Sequence, residues 1–296
     1  MLQNNMQPGA RPYLDQRQQA LESLEFKHIS LRRLSPIIGA EISSVDLENL
    51  SAEQVEEIGR ARLAFRVLFF RGQDISAEAH LHFARRFGEL EEHPFIPSAS
   101  GEPEIVRFEK DKQAQGVENV WHSDVSWREV PSLGSVLRAH EIPEVGGDTL
   151  FSDMVAAYEC LDEETRELIA DKTAVHDFTQ SFGFLLSPEE LAERQKEFPA
   201  VEHPVVRTCP ETGEKSLYVN RPFTSHILGM EPEQSTALID KLCRQADVPE
   251  FQCRFRWEPN SIAFWDNRLV QHYAANDYWP RRRVMDRVTI IGERPH

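Results

Sequence analysis

Apolar and polar positions change rhythm twice along the chain. Residues 27–47, KHISLRRLSPIIGAEISSVDL, alternate well enough to predict two short strands joined near Ser35 and Pro36. The spacing then lengthens. SAEQVEEIGRARLAF carries apolar groups at helical intervals and opens with Ser51-x-x-Gln54, a reciprocal cap that satisfies backbone N–H groups of the first turn. VLFFRGQ reads as a buried strand. SAEAHLHFARRFG predicts a second helix, stopped by Gly88 where a left-handed residue is wanted. From residue 104 the runs become short and extended: EIVRF, VWHSDVS, SVLRAHEI, DTLFSD, KTAVHDF, VEHPVVRT, SLYVN, QCRFRW, SIAFWD and RVMDRVTIIG. Turn signals such as PETG and EPN separate several of them. Helices are expected at about 154–171, at 187–198 with Ser187-x-x-Glu190 as its cap, and at 231–246.

Many short strands that do not alternate regularly with helices predict a mainly β protein with α decoration, an antiparallel sandwich or barrel rather than a doubly wound sheet. Neither an internal repeat nor a linker divides residues 27–296, which read as a single domain. Residues 1–26 are rich in Gln and Asn and read as a loosely ordered N-terminal extension, with a short helix at LDQRQQALESL.

Charge and composition narrow the partners. A formal charge of −16 disfavours nucleic acid and anionic membrane surfaces, so small molecules or further copies of the chain are the expected partners. The start lacks the basic and apolar regions of a secretory signal, and no run of 18 apolar residues follows. Cysteines 160, 209, 243 and 253 form no C-x-x-C pair and no dense framework, which fits a reduced, cytoplasmic setting.

The candidate chemistry begins at WHSDVSW, residues 121–127. If this stretch is extended, His122 and Asp124 project from one face about 6–7 Å apart at Cα, as two ligands of one metal do. Such a pair also arises by chance, so a third ligand is needed. His272, after a predicted strand and a turn, supplies it. Two His and one carboxylate make the facial triad of non-haem Fe(II), leaving positions open for substrates. Such a centre needs electrons, and without flavin or nicotinamide fingerprints these come from a co-substrate. A 2-oxo acid suits the open positions, with O2 as the oxidant. If it is 2-oxoglutarate, its far carboxylate calls for a fixed guanidinium. Residues 283, 285 and 287 share a face of an extended strand, so Arg283 and Arg287 can line one cavity. Thr149, in GGDTLF, can add a hydroxyl donor.

With these residues in hand, the chain resembles the taurine dioxygenase family of Fe(II)- and 2-oxoglutarate-dependent dioxygenases. The resemblance runs from about residue 27 to 292 and rests on IGAEISSVDL, FFRGQ, RFGELEEHP, WHSDVSW, GGDTLF, HPVVRTCPETGEKSLYVN, WDNRLVQHYA and RRRVMDRVTI, in that order. It implies a double-stranded β-helix (jelly-roll) oxygenase fold, His122, Asp124 and His272 as iron ligands, and Thr149 and Arg283 as 2-oxoglutarate contacts. For the prime substrate it implies an anion grip of His93 and Arg287, the Val125 backbone N–H facing that anion, and Phe182 and Phe223 as aromatic walls. Ile96 stands where the taurine-specific pocket has a Tyr, which removes a hydroxyl that would help place an amine. The family also implies a homo-oligomer, dimer or tetramer.

The expected reaction is hydroxylation of a small anionic organic substrate, an alkyl sulfonate or alkyl sulfate ester. Aryloxyalkanoates and other small carboxylates suit the same cation grip. A retained Asp124 disfavours halogenation. A zinc hydrolase with the same three ligands is one rival reading, though it has no use for the Arg283 and Thr149 pair; a non-catalytic jelly-roll metal-binding protein is the other. Histidines 28, 80, 82, 140, 176, 203 and 226 are left as structural, Arg281 and Arg282 as solvated charge, and tryptophans 121, 127, 257, 265 and 279 as packing around the metal strands.

Overall fold

A computed structural model describes residues 11–96, 98, 101–114 and 119–296. In chain order its strands are β1 (Ser30–Arg33), β2 (Ala40–Ser43), β3 (Val67–Phe70), β4 (Ile105–Lys110), β5 (Ser132–Glu141), β6 (Thr149–Asp153), β7 (Thr173–His176), β8 (Val201–Pro204), β9 (Val206–Thr208), β10 (Lys215–Leu217), β11 (Thr224–Ile227), β12 (Gln252–Phe255), β13 (Ile262–Asp266), β14 (Val270–Ala274) and β15 (Arg283–Ile291). The helices are α1 (Pro12–Glu22), α2 (Ala52–Phe65), α3 (Ala77–Arg85), α4 (Met154–Glu159), α5 (Glu163–Ile169), α6 (Thr179–Phe182), α7 (Pro188–Glu197) and α8 (Pro232–Cys243).

Seven strands make the larger sheet in the order β1-β2-β3-β13-β5-β15-β4, antiparallel except where β2 lies beside β3. Strand β3 shows why both its faces are apolar. Val67 and Phe69 enter one core with Phe151, Phe255 and Trp265, while Leu68 and Phe70 enter another with Ile58, Phe65, Phe83 and Phe264. Helices α2 and α3 supply the second core, and the smaller sheet β12-β6-β14 closes the first. Phe69 joins the two sheets, stacked on Phe255 at 4.0 Å and edge-on to Phe151 at 5.6 Å between ring centroids. Truncating such a fully buried ring costs roughly 3–5 kcal/mol, so this contact helps to set the spacing between the sheets. The result is a jelly roll whose open end lies where β6, β14 and β15 approach one another.

The predicted elements differ from these in instructive places. WHSDVSW is not a strand. His122 makes an isolated antiparallel bridge to His272, and the chain then turns at Asp124–Trp127 with Val125 at φ 46°. Periodicity could not reveal this, because Ser123 and Ser126 are polar yet buried. The helix expected over 154–171 is two helices, since the Asp162 carboxylate accepts from Thr165 N at 2.8 Å and caps a new start. Helix α3 ends at Arg85, ahead of Gly88. The glycine serves closeness instead: a Cβ there would stand 2.8 Å from Ile290 Cγ2. SLYVN contributes only its first residues to β10. Inside the expected N-terminal extension, α1 buries Leu21 and its Arg17 donates to the Ala64 carbonyl; residues 1–10 lie outside the described residues.

Candidate active site

The isolated bridge places the two imidazoles side by side, because His122 N–H donates to His272 O at 3.1 Å and His272 N–H donates to His122 O at 2.9 Å. Their rings lie 4.1 Å apart between centroids. Asp124, one turn beyond, brings Oδ1 to 3.8 Å from both Nε2 atoms, and one ligand atom from each residue falls within 4.8 Å of the others. His122 Nδ1 is 2.9 Å from the Val120 carbonyl. A carbonyl only accepts, so the proton sits on Nδ1 and Nε2 keeps its lone pair for a metal. Burial, then the neighbouring His122, pushes His272 down to about 3, which leaves it neutral at physiological pH. Two imidazole nitrogens and one carboxylate, set in a non-thiolate site, fit a ferrous ion.

Asp124 is aimed by several partners. Its Oδ2 accepts from Ser135 Oγ at 2.8 Å and faces Asn267 Nδ2 at 3.5 Å, while Oδ1 accepts from Arg287 Nη1 at 2.7 Å. Asn267 is itself fixed by the Trp265 indole N–H at 2.8 Å and by donating to Ser132 Oγ at 2.8 Å. Burial alone would raise the Asp124 pKa, but Arg287 and the two histidines, with Ser135, hold it well below the usual carboxylate range. The ligand is therefore ionised before any metal arrives.

Beside the triad lies a cavity of about 90 Å³ lined by His122, Thr149, His272, Arg283 and Arg287, among others. Met285 lines it too, so residues 283, 285 and 287 of β15 do share one face. The alternate residue Asp286 points outward, bound by Arg107 through two 2.7 Å contacts and by His140 at 2.7 Å. Arg282 is on the surface between Glu109 and Glu141. Thr149 accepts from the Trp257 indole N–H at 2.9 Å, which leaves its hydroxyl proton to donate elsewhere. Gly147, at φ 74°, lets Arg283 pass close: a Cβ there would lie 3.2 Å from Arg283 Cδ and Nε.

On the other side of Asp124, His93 Nδ1 accepts from the backbone N–H groups of Phe95 and Ile96 at 3.2 and 3.1 Å. Its proton is thus on Nε2. Burial, with Arg287 adding to it, pushes His93 down to about 3, so it is a neutral donor. Phe182 faces it at 6.2 Å, stacks on Phe95 at 5.1 Å and on Phe223 at 6.2 Å; Val125, Phe178 and Trp127 belong to the same apolar cluster, against which Leu186, Leu191 and Phe198 also pack.

Every site residue expected from the sequence falls in one of these two adjoining regions. Sequence reasoning missed Ser135, Asn267 and Trp257, whose roles are hydrogen bonds to a functional side chain and leave no motif. Four tryptophans pack as expected, Trp265 lying 4.8 Å from His272, but Trp279 is half exposed beyond the site.

A jelly roll whose helices are as extensive as its strands, rather than the mainly β chain expected, carries a His-Asp-His cluster and a buried arginine pair, which defines the class of non-haem oxygenases. The comparisons specify it further: the family described as "Taurine catabolism dioxygenase TauD, TfdA family" matches residues 30–289, and the chain belongs to that family of Fe(II)- and 2-oxoglutarate-dependent dioxygenases. It is 37% identical over 276 residues to an alkylsulfatase of Acinetobacter baylyi, covering 90% of this chain and 86% of that one. It is also 37% identical over 268 residues to an alpha-ketoglutarate-dependent sulfate ester dioxygenase of Pseudomonas putida, covering 87% of this chain and 88% of that one. The crystal structure of a taurine dioxygenase from Burkholderia xenovorans superposes with a TM-score of 0.79 at 37% identity, covering 91% of each chain. No helix among the described residues is long and apolar enough to cross a membrane.

Proposed function

We propose that the enzyme hydroxylates the carbon bearing the anionic group of an alkyl sulfate ester, with alkyl sulfonates as its second substrate class. The observation that carries this reading is the pairing of a neutral His93 donor with buried Arg287, beside a wall of phenylalanine rings. His122, Asp124 and His272 would hold iron. Arg283 and Thr149 would hold the far carboxylate of 2-oxoglutarate, and His93, the Val125 N–H and Arg287 would hold the sulfo group. Bound iron, with 2-oxoglutarate and O2, supplies the oxidation: the oxo acid is split to succinate and CO2, and one oxygen atom enters a substrate C–H.

The protein's own contribution is orientation and dryness. Fixing the anion at Arg287 sets which carbon lies nearest the metal. Phe182 and Phe223 exclude water and give an alkyl chain its surface. Ile96 offers no hydroxyl to an amine, which favours a plain apolar tail over that of taurine. Hydroxylation of a carbon attached to sulfate oxygen gives an unstable adduct that releases sulfate and an aldehyde; attached to sulfur, it releases sulfite and an aldehyde. The four cysteines are free, which suits a cytoplasmic setting.

The test is substrate-stimulated succinate formation with a series of alkyl sulfates, alkyl sulfonates, taurine and aryloxyacetates, reading sulfate, sulfite and aldehyde separately. Stoichiometric sulfate, aldehyde and succinate from an alkyl sulfate are expected. Stimulation by the carboxylates alone would overturn the assignment.

A further inference from the structure

Directly after Asp124 comes a residue in a conformation its side chain disfavours. Val125 is buried and sits at φ 46°, a left-handed region that a β-branched residue rarely adopts. Such a conformation persists only where its surroundings over-determine it. Here the surroundings are four polar side chains from three separate parts of the chain. Asn220 Nδ2 donates to Ser126 Oγ at 2.9 Å, and His176 Nδ1 lies 3.1 Å from the same oxygen. Thr224 Oγ1 is 3.5 Å from His176 Nε2 and accepts from Asn220 N–H at 2.9 Å. Asn220 Oδ1 accepts from Phe223 N–H at 3.2 Å. Each of the four is at most 4% exposed, so their polar groups would be costly to bury without one another.

This ring grips two things, the Val125 turn and the backbone of Phe223. It is separate from the set that aims Asp124, which consists of Ser135, Asn267 and Arg287. Burial pushes His176 down to about 3, which suits a hydrogen-bonding partner without charge.

We propose that Ser126, His176, Asn220 and Thr224 are positioning residues that fix the substrate side of the pocket, the Val125 peptide and the Phe223 ring, independently of the metal ligands. The inference rests on the substrate roles proposed above for those two residues. The Val125 and Phe223 contacts to the oxidised substrate are thereby held apart from the metal ligands at the boundary between residues 124 and 125, whereas Arg287, bound to Asp124, serves both sides.

Ser126→Ala removes both contacts at Oγ with almost no change in volume. KM for hexyl sulfate should rise about tenfold, while KM for 2-oxoglutarate and the Mn(II) dissociation constant stay as in the wild type. Ser126→Thr should restore KM. Glycine adopts positive φ freely, so Ser126→Ala should cost less when introduced into Val125→Gly than into the wild type. An unchanged KM, or a loss of Mn(II) affinity in step with it, would overturn the proposal. If hexyl sulfate fails to stimulate the wild type, the substrate reading fails by itself. Amide hydrogen exchange then decides the network: faster exchange confined to 124–128 and 220–224 in Ser126→Ala supports it, and unchanged exchange there ends it.

Discussion

Replacing Arg287 by Met deletes the cation that donates to Asp124 at 2.7 Å while filling most of its volume. Both partners are buried, at 7% and 4% exposure, so the carboxylate left behind cannot turn to water. Breaking a buried pair from one side costs about 3–5 kcal/mol. The lower end applies here, because Ser135 still donates to Oδ2. For a chain of this size that is a fall in Tm on the order of 10 °C. A divalent ion bound by His122, Asp124 and His272 would supply the missing positive charge. Saturating Mn(II) should therefore raise the Tm of Arg287→Met more than that of the wild type, and narrow the gap between them. Thermal and urea unfolding of the metal-free and Mn(II)-loaded proteins read this directly. Adding Asp124→Asn to Arg287→Met should recover much of the metal-free loss, since the unpaired charge goes with it. If metal-free Arg287→Met is as stable as the wild type, or if Mn(II) raises both by the same amount, the pair does not carry the balance of charge argued here.

Gly147→Ala should raise KM for 2-oxoglutarate about tenfold, by pressing a methyl against Arg283 and straining φ 74°, with hexyl sulfate KM nearly unchanged; equal effects on both substrates would count against it. His93→Ala should raise KM for an alkyl sulfate by roughly 10- to 100-fold through loss of a charge-assisted hydrogen bond. Because His93 is held down at about 3, wild-type KM should show no step near pH 6.5, and a step assigned to His93 by its loss in the variant would refute the neutral-donor reading. Asp266, between Arg62 and Arg268, is held at about 2 against burial's upward push. Its folded pKa lies below the unfolded value near 3.8, so its contribution of roughly 2 kcal/mol is present above that value and lost as pH falls through about 2. Urea unfolding between pH 5 and 2.5 should fall less steeply for Asp266→Asn than for the wild type.

The parts of this enzyme that the chain declares are those with a period or a fixed chemical type. Ser51 and Gln54 announce α2 because a cap is local. Arg283 and Arg287 could be assigned to one face because a strand repeats every two residues. The metal ligands are legible as types, although the geometry inferred for two of them was wrong: His122 and Asp124 meet through a turn, not along a strand. What stayed hidden is long-range hydrogen bonding. Trp257 to Thr149 spans 108 residues and His176 to Ser126 spans 50, and a buried polar residue looks in sequence like a loop residue. Reading His176 as structural agrees with its burial, but the partners it meets, Ser126 and Thr224, are brought to it only by the fold.

Strand β15 alternates meaning residue by residue. Its inward side chains, 283 and 287, are cations, and Asp286 between them is turned outward to Arg107 and His140. A slip of one position against its neighbours would exchange these sides and convert an anion-binding chamber into an anion-repelling one, with scarcely any change in overall hydrophobicity. Pairing with β5 is irregular at Val284/Met285, inside this stretch, and again at Ile290/Ile291 beyond it. Single-residue insertions and deletions between Arg283 and Arg287 should therefore be tolerated far less well than substitutions, because each turns every side chain beyond it to the opposite face.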